Sequence, residues 1–131
     1  MNHFKSFFEF HWKIKFILPV IILLALGINV NARQIISSEA KTVALNWINT
    51  EGNNYYTSGD ILNVYTRQEE GKTKFYIISF RQAGWVIVSG DDCVDPVLGY
   101  SLTTTFDMRL APPQVKAWLD GKVEEISFAV D

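Results

Sequence analysis

Four short segments with the composition of β-strands follow one another closely in the middle of this 131-residue chain. They are rich in β-branched and aromatic residues, which pack well on a pleated surface. These segments cover residues 61–67, 74–80, 85–89 and 97–101, and the first alternates apolar and polar positions. Because strands this short and this closely spaced are typical of hairpin connections, the sequence predicts an antiparallel meander.

An amphipathic helix is predicted on each side of these strands. The first opens at Ser37-Ser38-Glu39, where serine is a good N-cap and Glu39 suits the positive end of the helix dipole. The second starts at Pro112-Pro113, because proline is well tolerated in a first turn. The apolar stripes are Ala40, Val43, Ala44, Trp47 and Ile48 in the first helix, and Val115, Trp118, Leu119, Val123 and Ile126 in the second.

These elements predict an α+β fold, with an antiparallel sheet of about four strands packed against an N-terminal and a C-terminal helix. We expect both helices to lie on one face of the sheet. Trp47, Trp85 and Trp118 each fall on a predicted apolar face, so we expect all three in the core.

The first 32 residues have the pattern of a secretory signal peptide. Lys5, Lys13 and Lys15 precede an apolar run over residues 16–28, and Val30-Asn31-Ala32 suits a signal peptidase site. The alternative is a membrane anchor, but such a run rises only about 20 Å as a helix, short of the roughly 30 Å hydrocarbon core. We therefore expect cleavage after Ala32 and a secreted or periplasmic mature domain, residues 33–131, without a membrane segment.

Charge and cysteine content exclude several classes of protein. Removal of the signal peptide would remove three lysines and one glutamate. The mature domain would then have nine basic and thirteen acidic residues and a net charge near −4. Nucleic-acid binding is not expected, because it requires clustered Lys and Arg. A single cysteine cannot form an internal disulfide.

Catalysis within the mature chain is not expected either. Cys93 is the one candidate thiol nucleophile, but His3 and His11 both precede the predicted cleavage site. Residues 33–131 therefore lack the histidine that Cys-His and Ser-His-Asp catalysis require, and they lack the ligands of an ordinary zinc site. We expect no enzymatic activity and no cofactor.

A cluster of carboxylates surrounds this cysteine. Asp91, Asp92 and Asp95 could in principle hold calcium, but their spacing is not that of an EF-hand loop, and Pro96 favours a plain turn. No phosphate-binding loop of the Walker or dinucleotide type is present. We expect no metal here.

Three elements between residues 84 and 107 form a recognisable series: GWVIVSGDD at 84–92, PVLGYS at 96–101 and Phe106-Asp107 before a helix. This series resembles the propeptide of streptopain-type cysteine proteases and the related small, Spi-like inhibitors. In that family the VIVSGD segment is a propeptide strand, and the catalytic cysteine and histidine lie in a separate downstream domain. The resemblance thus implies that Cys93 is not a nucleophile.

The resemblance implies a secreted inhibitor that blocks the active-site cleft of a streptopain-like cysteine protease in trans. Because the sequence ends at Asp131, before a catalytic domain could begin, we expect a free-standing propeptide-like domain. Two alternatives stay open. One is a truncated propeptide with a role in folding or latency, and the other is a non-inhibitory, envelope-associated binding domain that shares only the fold.

The predicted protease contact is the stretch just before the second helix. It combines apolar side chains, a long cation and a proline pair that restricts the backbone, so ordering it in a cleft costs less entropy. Its residues are Met108, Arg109, Leu110, Ala111, Pro112, Pro113 and Gln114. The resemblance supports this choice, because the propeptide blocks the cleft. The rival contact is the acidic turn over residues 89–95, and an ordinary helix-entry loop is the third interpretation.

Overall fold

A computed structural model describes residues 32–53 and 55–130. This part contains helix α1 (Ser37–Glu51), a 3-10 turn (Ser58–Asp60), strands β1 (Ile61–Glu69), β2 (Lys72–Phe80), β3 (Trp85–Ser89) and β4 (Val97–Ser101), and helix α2 (Pro113–Val130). The strands form one sheet in the order β1-β2-β3-β4, and each neighbouring pair is antiparallel. The α+β class and the meander are therefore confirmed. The predicted signal peptide lies, apart from Ala32, outside the described residues.

The strands of the first hairpin each extend two residues closer to the turn than the predicted segments 61–67 and 74–80. Strands β1 and β2 extend to a two-residue turn at Glu70 and Gly71, whose φ angles are 53° and 76°. Positive φ at both central residues gives the twist that matches two antiparallel strands. The limits of β3 and β4 agree with those predicted.

Helix α1 is capped by a carboxylate, not by the predicted serine. Ile36 occupies the N-cap position, and its N–H donates a hydrogen bond of 3.1 Å to the Glu39 carboxylate. Glu39 also accepts hydrogen bonds of 3.0 and 3.1 Å from the Arg33 guanidinium. These bonds, first the one from the Ile36 N–H and then those from Arg33, lower the pKa of Glu39. The helix start thus depends on a residue outside the helix.

The two helices lie on opposite faces of the sheet, so the prediction that they share one face is wrong. One cluster joins α1 to alternate residues of β2 and β3: Ala40, Ala44, Ile48, Tyr76, Ile78, Phe80, Val86 and Val88. The second joins α2 to the residues between them: Phe75, Ile77, Ile87, Leu119, Val123 and Ile126. The reason is the composition of β2, which is buried on both faces along nearly its whole length. A strand with two apolar faces needs a cover on each side.

The tryptophans lie at the margins of these clusters. Trp47 and Trp85 are half-buried and pack against the first and second cluster respectively. Trp118 is 45% exposed, so the prediction that it lies in the core is wrong. Its position explains this, because residues are about 100° apart around a helix and Trp118 points away from the stripe centred on Leu119.

Two glycines set the limits of the central strand β3. Gly84 has φ of 94°, and a Cβ there would lie 2.7 Å from Ile48 Cδ1. A Cβ on Gly90 would lie 2.2 Å from the carbonyl oxygen of Thr73, because the Gly90 N–H donates to the Lys74 carbonyl at 2.9 Å. The glycines of the GWVIVSGDD series therefore let backbone and side chains approach closely.

We predict opposite effects for two Gly→Ala changes. Gly90→Ala should lower the free energy of unfolding by about 1–3 kcal/mol, because the backbone of β2 must move away from the new methyl group. Gly121→Ala on α2 should raise it by up to about 1 kcal/mol, because nothing lies within 4 Å of the added Cβ and alanine favours the helix. Urea unfolding measures both. Equal effects in the two variants would contradict the close approach at Gly90.

Candidate functional site

An open apolar groove of about 540 Å³ lies between β3, the loop that follows β4, and the first turns of α2. Its side chains include Trp85, Ile87, Phe106, Leu110 and Trp118. Leu110 is 81% exposed and Trp118 is 45% exposed. Large apolar side chains gathered in an open groove are typical of a surface that binds another molecule.

The floor of the groove is built on β3. The Trp85 and Phe106 rings meet edge to face, with centroids 5.4 Å apart. The indole N–H of Trp85 donates to Thr104 Oγ1 at 3.1 Å, and the Gly84 N–H donates to the Thr104 carbonyl at 2.8 Å. The beginning of the loop is therefore fixed to the central sheet.

One wall is the ring of Trp118, which lies over the edge strand β4. A Cβ on Gly99 would lie 3.4 Å from Trp118 Cη2, so glycine at this position leaves room for the indole. The Lys122 ammonium is 5.6 Å from the centroid of the Trp118 ring, within the range of a cation–π contact. The indole is thus positioned from two sides although much of it remains exposed.

A bidentate ion pair shapes the loop. Arg109 donates to Asp107 from its backbone N–H at 2.9 Å, from Nε at 3.1 Å and from Nη2 at 2.7 Å. These bonds, the side-chain ones first, lower the pKa of Asp107. The Leu110 N–H donates to the Asp107 carbonyl at 3.0 Å. Asp107 therefore organises the turn that projects Leu110.

The seven predicted contact residues run from the loop at Met108 into the first turn of α2, where Pro113 and Gln114 lie, and they do not share one role. Leu110, Ala111, Pro112 and Gln114 line the groove. Met108 packs against the α2 cluster, and Arg109 is bound to Asp107. Sequence reasoning missed Trp85, Phe106 and Trp118 as groove residues. For Trp118, its place at the margin of the predicted stripe, about 100° around the helix from Leu119, could have indicated this.

The acidic turn, the rival contact, is largely structural. Asp91 is 3% exposed, and its carboxylate accepts hydrogen bonds from the Cys93 N–H at 3.0 Å and from Gln34 Nε2 at 3.3 Å. Asp92 pairs with Arg33. Asp91, Asp92 and Cys93 each place a ligand atom within 4.8 Å of the others. The Asp91 oxygens, however, already accept the hydrogen bonds from Cys93 and Gln34 that stabilise the turn. The cluster therefore gives no independent indication of a metal.

Cys93 is an exposed thiol in an unfavourable setting for a thiolate. Local desolvation, followed by the negative charges of Asp91 and Asp92, raises the pKa of the Cys93 thiol. A nucleophilic cysteine needs the opposite shift, which comes from a neighbouring cation or a helix N-terminus. The electrostatics thus agree with the interpretation that Cys93 has no catalytic role.

Comparison with protein families identifies the chain. The family model of the Spi protease inhibitors matches residues 32–126, which include α1, the whole sheet, the groove and most of α2. The chain belongs to the Spi protease inhibitor family, and the resemblance found in its sequence is confirmed. Membership supports a role as a protease inhibitor, with a protease as the partner. Searches of curated proteins and of solved structures gave no significant match.

No helix within residues 32–53 and 55–130 is long and apolar enough to cross a membrane.

We predict that Cys93 reacts slowly with thiol reagents. Its raised pKa leaves less thiolate near neutral pH, so a disulfide reagent at pH 7 should modify the folded protein several-fold more slowly than the urea-unfolded chain. The difference should shrink as the pH rises and the folded thiol also ionises. Cys93→Ser should keep the fold and any inhibition. Faster reaction in the folded state, or loss of inhibition on this change alone, would restore a covalent role.

Proposed function

We propose that this protein inhibits a streptopain-type cysteine protease in trans, by occupying the active-site cleft with residues 108–114 and the adjoining groove. The observation that carries the proposal is the match to the Spi protease inhibitors over residues 32–126. Such a function needs no catalytic group in the inhibitor. It needs a rigid scaffold and an exposed surface that fits the enzyme.

The side chains best suited to anchor the contact are Leu110 and Trp118. Both are exposed, both border the groove, and interface hot spots are enriched in tryptophan. A buried aromatic ring adds a large contact area with few rotatable bonds, so it loses little entropy on binding. The contact set we propose therefore adds Trp118, one turn further along α2, to the predicted residues 108–114.

The loop is also ordered before binding. The Asp107–Arg109 pair closes its turn, Trp85 holds Thr104, and Pro112-Pro113 restricts the backbone where α2 begins. A loop that is already ordered loses less conformational entropy on entering a cleft. This favours it over the acidic turn, whose most buried carboxylate, Asp91, is committed to the fold.

We predict that Leu110→Ser weakens inhibition while Phe128→Ser does not. Both leucine and phenylalanine are highly exposed, at 81% and 91%, so neither change should much affect stability. Phe128 lies ten residues beyond Trp118 on α2, roughly 15 Å further along the helix, away from the groove. Removal of an anchor side chain should raise the inhibition constant roughly tenfold or more.

The measurement is titration of a streptopain-type protease with each purified variant, with papain as a second enzyme and thermal unfolding as the stability control. Asp92→Asn is included to represent the acidic turn. If inhibition survives Leu110→Ser and Trp118→Ser but is lost in Asp92→Asn, the turn and not the loop is the contact. If the unchanged protein inhibits neither enzyme, the proposed target class is wrong.

We also propose that the protein is exported and cleaved after Ala32. The support is the basic start, the apolar run over residues 16–28 and the small residues that end at Ala32. N-terminal sequencing of the exported protein should begin at Arg33. Recovery of residues 16–28 in the membrane fraction, still attached to the domain, would contradict cleavage and favour an anchor.

A further inference from the structure

Arg33, the first residue after the proposed cleavage site, is bound to Asp92 through backbone hydrogen bonds. The Arg33 N–H donates to Asp92 Oδ1 at 2.7 Å, and the Arg33 carbonyl accepts from the Asp92 N–H at 3.2 Å. The guanidinium adds a contact of 3.5 Å from Nε to Asp92 Oδ2 and the hydrogen bonds to Glu39. The Arg33 nitrogen is therefore a fixed point of the fold.

The residues that follow keep this nitrogen in place. Gln34 pairs with Asp91 as an antiparallel bridge, and the Ile35 N–H donates to the Gly90 carbonyl at 2.8 Å. The Gln34 side chain accepts from the Thr73 N–H at 2.8 Å. The Tyr76 hydroxyl donates to the Ile35 carbonyl at 2.8 Å. Residues 33–35 thus form a short strand-like segment along residues 90–92, and the backbone nitrogen of Arg33 at its start faces Asp92.

We infer that hydrolysis of the Ala32–Arg33 bond turns this nitrogen into an α-ammonium that forms an ion pair with Asp92, so that processing itself stabilises the folded inhibitor domain. Water supplies the oxygen that completes the Ala32 carboxylate and a hydrogen to the Arg33 nitrogen, and the amine is protonated at neutral pH. The inference rests on the cleavage site proposed above and does not depend on which protease is inhibited.

The local charges fit an added cation. Asp92 and Glu39 face a single guanidinium, that of Arg33, and Asp91 adds a third carboxylate whose hydrogen-bond donors are the neutral Gln34 side chain and the Cys93 backbone. A new ammonium supplies a second positive charge where carboxylates outnumber cations. Hydrogen bonds between two charged groups are stronger than those between a neutral amide and a carboxylate. Solvent screens this pair, because 41% of the Asp92 side chain is exposed.

The test compares two forms of the domain, one that starts at Arg33 and one that carries Gly-Ser-Gly before Ala32. The second form keeps the Arg33 amide but places its terminal amine up to roughly 13 Å of extended chain away. Residues 32–131 form a compact unit of their own with every described helix and strand, so both forms should fold, as circular dichroism will verify. Each form is made with Asp92 and with Asp92→Asn, which keeps a side-chain oxygen for the hydrogen bond and removes the charge.

We expect the form that starts at Arg33 to have an unfolding equilibrium constant roughly two- to fivefold smaller than the extended form, the range of an exposed ion pair. Asp92→Asn should abolish this difference. The advantage should be present between about pH 5 and pH 8, where carboxylates are ionised and α-amino groups are protonated. It should be lost at higher pH as the α-ammonium, whose pKa the pair with Asp92 raises, loses its proton. An equal difference between the two Asp92→Asn forms, or no difference between the two forms that keep Asp92, would overturn the inference.

The same proteins separate this inference from the proposed inhibition. Inhibition is measured on the form that starts at Arg33, and a failure there leaves the stability comparison intact. Conversely, sequencing that places the natural N-terminus elsewhere than Arg33 overturns the inference without affecting the contact made by Leu110.

Discussion

The burial of β2 on both faces is the constraint on which the rest of this structure depends. Because successive side chains of a strand point to opposite sides, Tyr76 and Ile78 require α1 as cover, while Phe75 and Ile77 require α2. The sheet therefore becomes the middle layer of three. The loop between β4 and α2 connects the sheet to its second cover, and the groove forms where that loop crosses Trp85.

The GWVIVSGDD segment has its structural role in the same middle layer. Its apolar residues alternate between the two clusters, and Gly90 lets β3 approach β2 where a side chain would collide with Thr73. Ser89 and Asp91 exchange hydrogen bonds of 3.0 and 3.1 Å, and the Asp91 carboxylate also accepts a hydrogen bond from the Gln34 side chain. A segment that could be taken for the wall of an active site is therefore a structural connection. The polar residues next to Cys93 therefore have a structural role in this turn.

The sequence predicted the elements better than their arrangement. Hairpin spacing and helical stripes depend on local patterns, so the limits of β3 and β4 and the start of α2 are close to those observed. The faces of the two helices depend on β2, where the unbroken run from Phe75 to Ile78 could have indicated burial on both sides. The pairing of residues 33–35 with 90–92 could not be predicted, because hydrogen bonds between backbones distant in sequence leave no local pattern.

The two proposed functional features lie on opposite sides of the middle layer. The groove uses Ile87 and Trp85, which pack with the α2 cluster, whereas the pocket beside Arg33 is lined by Ile35, Val43 and Val88 from the α1 side. Layers that pack on a sheet are about 10 Å apart, and distant sites without shared partners contribute nearly additively to stability. The proposed N-terminal ion pair can therefore strengthen the scaffold without reshaping the surface proposed to meet the protease. In the proposed arrangement, processing adds to the stability of the domain, and the loop before α2 provides the contact with the protease.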